Sequence, residues 1–420
     1  MSHATKRNKA SSHSRNAGGD LRTGSRAADT AGIATRRILW ASNAPWATTG
    51  YGEQTQQVVA RLKADGKEVA VAANYGLEGM RTEWEGIPVF PRGLDAYSND
   101  VIPAYAMDWG KPTGIQPLVV TLFDCWVFRG EGWDLLDRIA SWVPIDHYPV
   151  PPEVAKWLVR PQVTPIAMSK FGKAAIENLG IECMYAPHAI NTKIFKPNTV
   201  IEGTDGSVTA REWMQIPEDA YLIGMVSANK GPLDRKSFAE SFLAASVLMQ
   251  KHDDVWLYLH TEPSKAMQGL DLKSLLKACR VPMDRVRFAD SYSYRMGIPK
   301  QALAAIYTAV DVLLQPSRGE GFGIPAVEAQ ACGTPVIVSD ATAQSELVGD
   351  GWKVKVQPQW DDPQQAWFFT PIIATIIDAL TEAYDRGRSR STKAIEFAAA
   401  YDADLVYAKH WQPILDALTK

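Results

Sequence analysis

From Arg36 onward, short apolar runs alternate with longer amphipathic stretches, the rhythm of a repeating strand–helix unit. "RRILWAS" predicts a buried strand, and "TTGYGEQTQQVVARLKADG" a glycine turn entering a helix that Gly66 closes. "KEVAVAA" supplies the next strand and completes a unit of the kind that builds parallel sheets. "LVVTLFD" and "SWVPI" predict further strands, and "PPEVAKWLV" a helix with Pro152 near its first turn. "TPIAMS" leads into the helix "KFGKAAIENLG", closed by Gly180.

The polar stretch "APHAINTKIFKPNTVIEGTDGS" then breaks the rhythm and reads as a linker. Alternation resumes with strand "YLIGMVS", helix "RKSFAESFLAASVLMQKH", strand "VWLYLH", helix "AMQGLDLKSLLKAC", short strand "RVRFA" and helix "PKQALAAIYTA". Strands "DVLLQPS" and "TPVIVSD" follow, and the tail from Trp367 reads as helical, with Ile372, Ile373, Ile376, Ile377 and Leu380 on helical spacing. The expectation is an α/β protein with two Rossmann-like, doubly wound domains facing each other across a cleft. Their spans are 36–197 and 198–390, with C-terminal helices over 391–420 packing back on the first domain. Ligands of such folds bind at the carboxyl ends of strands.

A length of 420 residues favours two domains over one core, and 46% hydrophobic with 22% charged residues is the balance of a soluble globular chain. A formal net charge of −3 argues against nucleic acid as a partner through overall charge. Residues 1–35 are rich in Ser, Ala and basic residues (Lys6, Arg7, Lys9, Arg15, Arg22, Arg26) and predict a disordered tail without the apolar core of a signal peptide. No run is long enough to span a bilayer. Cys125, Cys183, Cys279 and Cys332 are scattered without CxxC spacing and read as buried thiols of a reducing, cytoplasmic compartment.

The chemistry concentrates in "PSRGEGFGIPAVEAQACGTPVIVSD", where Glu320 and Glu328 stand with seven residues between them. Glu320 lies in a glycine-rich loop after a strand, and Glu328 about one turn inside an apolar helix that starts near Pro325 and stops at Gly333. The helix N-terminus offers free N–H groups and partial positive charge to an anion. The two carboxylates are spaced to meet two ends of one extended ligand.

These residues resemble the E-x7-E signature of family-4-type retaining glycosyltransferases of the glycosyl transferases group 1, which have the two-domain GT-B fold. "WVPIDHYPVPP", "AMSKFG" and "APHAINTKIFKP" occur in the order seen in those enzymes. The resemblance implies a retaining hexosyltransferase that uses a nucleotide diphosphate sugar, such as UDP- or GDP-hexose, with no cofactor and no metal. It implies that Glu328 accepts from the ribose and Glu320 contacts the donor sugar. Gly321, Phe322, Gly323 and Ile324 would present backbone to sugar and phosphate. Lys236, with Arg235 beside it, falls on the family's lysine position against the leaving diphosphate.

Gly50 and Gly52 match the family's first glycine loop. Where arginine is frequent in the loop after the first C-terminal-domain strand, this chain reads Ser227-Ala228-Asn229-Lys230, with Asn229 a donor contact and Arg235 or Lys230 as the substitute cation. The N-terminal domain departs from the family at Phe123-Asp124-Cys125-Trp126, where a histidine is frequent at the first position; His147 and His188 are the candidates to replace it. The acceptor, whether carbohydrate, lipid-linked or protein, is not written in the sequence. Trp46, Asp124, Trp126 and His147 are the residues expected near it, since aromatic faces stack on sugar rings. Asp402-Ala403-Asp404, the DxD of the chain, reads as a solvated face of the helical tail rather than a metal site. Two alternatives share the donor site: a GT-B sugar-nucleotide epimerase and a non-catalytic nucleotide-sugar- or glycan-binding homologue.

Overall fold

The apolar runs of the N-terminal half become strands buried on both faces, as parallel strands covered by helices must be. The computed structural model describes residues 35–203, 206–231 and 233–420, so the predicted tail lies outside the described residues apart from Thr35. The N-terminal lobe contains β1 (Ile38–Ser42), β2 (Val69–Ala73), β3 (Thr82–Trp84), β4 (Ile87–Phe90), β5 (Leu118–Leu122), β6 (Ile139–Val143), β7 (Val163–Ala167) and β8 (Met184–Tyr185). They form one sheet in the order β3-β4-β2-β1-β5-β6-β7-β8. All neighbours are parallel except β3 and β4, a hairpin that the sequence reading passes over because its outer strand is short and polar.

A second hairpin, β9 (Val200–Gly203) with β10 (Gly206–Thr209), lies in the predicted linker. The C-terminal lobe then contributes β11 (Tyr221–Val226), β12 (Val255–His260), β13 (Val286–Phe288), β14 (Val312–Gln315), β15 (Val336–Ser339) and β16 (Gly351–Val354). Their order is β13-β12-β11-β14-β15-β16, parallel throughout.

Both sheets are doubly wound, so each has a point where the chain direction of winding reverses: between β1 and β5 in the first lobe, between β11 and β14 in the second. The loops that leave these strands at their carboxyl ends carry residues 43–49 and 123–126 on one side, 227–231 with 233–236 and 316–323 on the other. The topology of each sheet brings two sequence-distant loops together, and the packing of one lobe on the other joins the two pairs in one cleft.

Several expectations are corrected. The predicted linker starts inside the fold and then comes to the surface: Ala186, Pro187, His188, Ala189 and Ile190 are buried, with Gln54 clamping Ala189 by both its N–H (2.9 Å) and its C=O (2.8 Å), while Lys193, Lys196, Pro197 and Thr199 are exposed. The tail from Trp367 does not begin as a helix. Val356–Asp361 (β17) and Ala366–Pro371 (β18) form an antiparallel hairpin, and the helix starts at Ile373. Trp360 and Trp367 face each other across its two strands, with centroids 5.0 Å apart, and such cross-strand aromatic pairs stabilise a hairpin. The helix expected over "AMQGLDLKSLLKAC" shortens to Leu272–Ala278, because Gln268 turns to φ 60° and Gly269 lies so close to Asn229 that a Cβ would meet its side chain at 2.4 Å.

The C-terminal helices divide between the lobes: Thr392–Ala399 packs on the second lobe, where Ser391 N–H donates to Gly333 O (2.8 Å), and the chain around Trp411 lies on the first. Trp411 packs its ring 5.3 Å from Trp40 and 4.7 Å from Trp142, and all three are fully buried. Asp404 is exposed, as the solvated-face reading expects, and both aspartates are engaged locally. Asp402 caps the Ala403–Val406 helix and pairs with the Ile190 backbone, while Asp404 bridges Arg61 (2.6 Å) and Lys193 (2.9 Å) of the first lobe.

Candidate active site

Glu320 sits in the loop after β14 and is almost fully buried. Its backbone N–H donates to Thr342 Oγ1 (3.1 Å), and the preceding Arg318 N–H donates to the carbonyl of Arg235 (2.9 Å), which ties the two switch-point loops together. The Glu320 carboxylate is ion-paired with Lys236 and lies 3.3 Å from Arg235, whose guanidinium also donates to Gly319 O (2.6 Å). Burial pushes the Glu320 carboxyl up, but the cations of Lys236 and Arg235 outweigh it and hold the pKa down at about 2. Lys236 is lowered by burial and by the neighbouring Arg235 charge. Arg235 is raised, because Glu320, Asp146 and Asp124 together overcome its burial. Lys236 precedes its helix, which begins at Phe238 after Ser237 at φ 54°.

Glu328 lies inside the Ile324–Ala331 helix, and its Oε2 accepts a 2.9 Å hydrogen bond from the Tyr307 phenol. Burial, with a smaller contribution from Glu53, raises its pKa to about 8 against the hydrogen bond from Tyr307. Beside it, Glu53 of the first lobe pairs with Lys300 of the second, and Lys300 also reaches Gln56 (2.6 Å). An apolar helix thus tolerates this glutamate in protonated, hydrogen-bonded form. The sequence pattern marked Glu328 but not Tyr307, which stands in an unremarkable alanine-rich helix.

The glycines of the loop serve a purpose the sequence did not reveal. A Cβ on Gly319 would sit 2.1 Å from Asp146 O, and one on Gly321 would sit 2.3 Å from Pro144 Cβ. They permit the second lobe's loop to approach the first lobe's "VPIDH" segment. Gly323 needs glycine for another reason: its φ is 118°, where the chain turns into the helix. Phe322 is a core side chain, edge-on to His188 (5.3 Å) and Tyr401 (5.6 Å). Gly50 faces Ile324, whose Cδ1 lies 3.5 Å from the place of a Cβ, so the first glycine loop abuts the N-terminal end of the Glu328 helix. Gly52 is pressed against the Ala47 carbonyl, and its N–H donates to the helix-capping hydroxyl of Thr49 (3.0 Å).

Asn229 lines a cavity of about 330 Å³ beside the cations Lys230, Arg235 and Lys236, with its side-chain amide engaged by the neighbouring loops. It donates to Glu262 O (3.0 Å) and Leu270 O (2.8 Å) and accepts from Leu270 N–H (2.8 Å), organising the loops around that cavity.

A second cavity, of about 180 Å³, lies on the far side of Leu233 and is lined by Asp124, Trp126, Asp146 and His147 from the first lobe. Asp361 and Phe368 of the β17–β18 hairpin close it. Asp124 accepts from the Tyr51 hydroxyl (3.2 Å), and enclosure in the cleft, then the charge of Asp146, raises its carboxyl to about 6. His147 lies between Asp146 (2.6 Å) and Asp361 (3.0 Å) with its ring 3.7 Å from Phe368; these carboxylates raise its pKa against the opposing effect of burial. Trp46 stands outside this lining, its indole N–H spent on Gly76 O (2.8 Å). Of the two histidines weighed as replacements, only His147 reaches the cavity. His188 is buried between Trp142 and Phe322, and burial pushes its pKa down to about 3. Phe123 is likewise buried, edge-on to Phe128 at 5.1 Å. The sequence pattern marks neither Asp361 nor Phe368, because the chain from Trp367 onward reads as helical. Among the described residues no cluster of three His, Cys, Asp or Glu has the geometry to hold a metal ion.

Two facing Rossmann-like lobes with charged switch-point loops across one cleft define a GT-B protein. A sucrose-phosphate synthase from Thermosynechococcus elongatus superposes with a TM-score of 0.64 at 20% identity, covering 91% of this chain and 99% of that one. The Anabaena protein HepE, solved in complex with UDP and glucose, gives 0.61 at 16% identity, covering 92% of this chain and all of that one (100%). At such identities the likeness is one of fold. Within that class, residues 290–366 match the sequence profile of the glycosyl transferases group 1. It is 29% identical over 193 residues to a D-inositol 3-phosphate glycosyltransferase of Corynebacterium urealyticum, over 44% of this chain and 43% of that protein. It is 33% identical over 118 residues to an MMP alpha-(1->4)-mannosyltransferase of Mycolicibacterium hassiacum, over 27% of this chain and 28% of that protein. The matches span less than half the length of these curated relatives.

Proposed function

We propose that this chain transfers a hexosyl group from a nucleotide diphosphate sugar to an acceptor hydroxyl with retention of anomeric configuration. The observation that carries this reading is Glu320 held between Lys236 and Arg235 at the winding-reversal point of the second lobe. As the bond from the anomeric carbon to the diphosphate oxygen breaks, negative charge develops on the leaving phosphate. Two cations fixed beforehand stabilise it without reorganisation. The acceptor oxygen bonds to the anomeric carbon, and its proton leaves with the diphosphate. Glu320, ionised near any physiological pH, accepts from hydroxyls of the donor sugar. Glu328 faces the nucleoside end and meets the ribose. The charge work assigned to Lys236 and Arg235 calls for no cofactor and no metal, so the reaction is proposed to be metal-independent. UDP- and GDP-hexoses are the donors proposed, in line with the UDP and glucose bound to HepE.

The cytoplasm is the proposed location. All four cysteines are buried and free, as a reducing compartment permits. Among the described residues no helix is long and apolar enough to cross a membrane.

A thermal-shift panel of nucleotide sugars identifies the donor, since a ligand of the folded state raises its apparent stability. On that donor, Glu320→Gln and Lys236→Ala are each expected to lower transfer by about 100-fold or more while the fold survives. Near-normal turnover in both variants overturns the assignment. Free product released without an acceptor would favour the epimerase, and donor binding without turnover the non-catalytic homologue.

A further inference from the structure

The cleft is divided by charge. On one side of Leu233 the cavity carries Lys230, Arg235 and Lys236 with a single carboxylate, Asp234, whose oxygens accept from the Phe238 and Ala239 N–H groups (2.9 Å each); on the other it carries Asp124, Asp146 and Asp361. The boundary is the contact between Arg235 and Asp146, 3.9 Å apart. On the acidic side His147 has both its ring nitrogens taken by Asp146 and Asp361. The first cavity suits a diphosphate. A phosphate monoester in the second would face three carboxylates at close range, and like charges at an interface discriminate strongly against such a ligand.

The second cavity has a shape as well as a charge. Trp126 offers a half-exposed indole on one wall, the kind of surface on which a sugar ring stacks. The β17–β18 hairpin, which belongs to neither parallel sheet, contributes Asp361 and Phe368 to the same lining. It is sewn to the first lobe by an exchange of backbone hydrogen bonds between Tyr148 and Trp367 (3.1 and 2.9 Å) and by Asp361 on His147. The hairpin therefore fixes an acidic, aromatic-walled chamber beside the anion-binding loops.

We infer that this chamber is the acceptor subsite and that it takes an uncharged polyhydroxylated ring, seated on Trp126 with hydroxyls donating to Asp124 and Asp361, in preference to a phosphorylated one. The inference rests on the transferase reading above and deepens it. It separates this chain from the relative whose name specifies inositol 3-phosphate.

The test is acceptor-dependent release of nucleoside diphosphate from the donor found by thermal shift, measured with matched pairs. The pairs are glucose and glucose 6-phosphate, mannose and mannose 6-phosphate, and inositol and its monophosphate. The expected result is a kcat/KM at least tenfold higher for the neutral member of an accepted pair. Asp361→Lys is expected to move that ratio at least tenfold toward the phosphorylated member. Asp361→Asn, which preserves shape, is expected to move it in the same direction by less. Equal or better use of phosphorylated members by the wild type overturns the neutral-acceptor inference, as does donor turnover with no difference within any pair. An unchanged ratio in both Asp361 variants also overturns it. Absence of any donor turnover instead counts against the transferase reading itself.

Discussion

The Tyr307 phenol donates to the Glu328 carboxyl at 2.9 Å, joining two helices of the second lobe across 21 residues of chain. That contact explains how the second glutamate of the spaced pair survives in an apolar helix, and it sets the first test. Tyr307→Phe leaves a buried carboxyl without this donor, so stability is expected to fall by about 1–3 kcal/mol in urea denaturation. An unchanged midpoint would mean that Glu328 is satisfied elsewhere.

Glu328 also makes stability depend on pH. Its carboxyl titrates at about 8 when folded, against an ordinary 4.5. Between those values the folded chain holds the extra proton, so this group's contribution to stability declines as pH rises from about 4.5 to 8. The difference in urea midpoint between wild type and Glu328→Gln, measured at pH 5.5, 6.5 and 7.5, is expected to grow in favour of the variant. A constant difference defeats the assignment.

His147 contributes with the opposite group type. Its pKa is raised above 6.5 by Asp146 and Asp361, so its contribution is complete below about pH 6.5 and is lost as pH rises through the folded value. His147→Gln is therefore expected to cost most stability in mildly acid solution and least above neutrality. Thermal melting of both proteins from pH 5.5 to 8.5 reads this directly.

Gly321 tests the closeness of the lobes. A methyl group there meets Pro144 Cβ at 2.3 Å, a contact that must be relieved by moving one lobe's loop from the other. Gly321→Ala is expected to destabilise by about 1–3 kcal/mol. Donor turnover is expected to fall with it, since loop and "VPIDH" segment together form the cleft. Retention of both stability and turnover would show that the loop yields without cost.

The alternation of apolar runs and amphipathic stretches determined the α/β class and the two doubly wound lobes, because parallel strands buried on both faces can be built only from near-continuous apolar segments. It also singled out Glu320 and Glu328, since a carboxylate among glycines or inside an apolar helix is a local anomaly. What a carboxylate does depends on its neighbours through space, and those were decided by the tertiary structure. Lys236 lies 84 residues from Glu320 in the chain, and Asp361 lies 214 from His147. Asn229 has its amide engaged in holding loops together beside the first cavity. Trp46 lies outside the lining of the acidic chamber with its indole N–H on Gly76 O, whereas the β17–β18 hairpin, silent in the pattern, closes that chamber. Hydrophobic period records which face of an element is buried. Which side chains then share a cleft follows from the strand order of two sheets and the fit of one lobe on the other, neither of which any local stretch encodes.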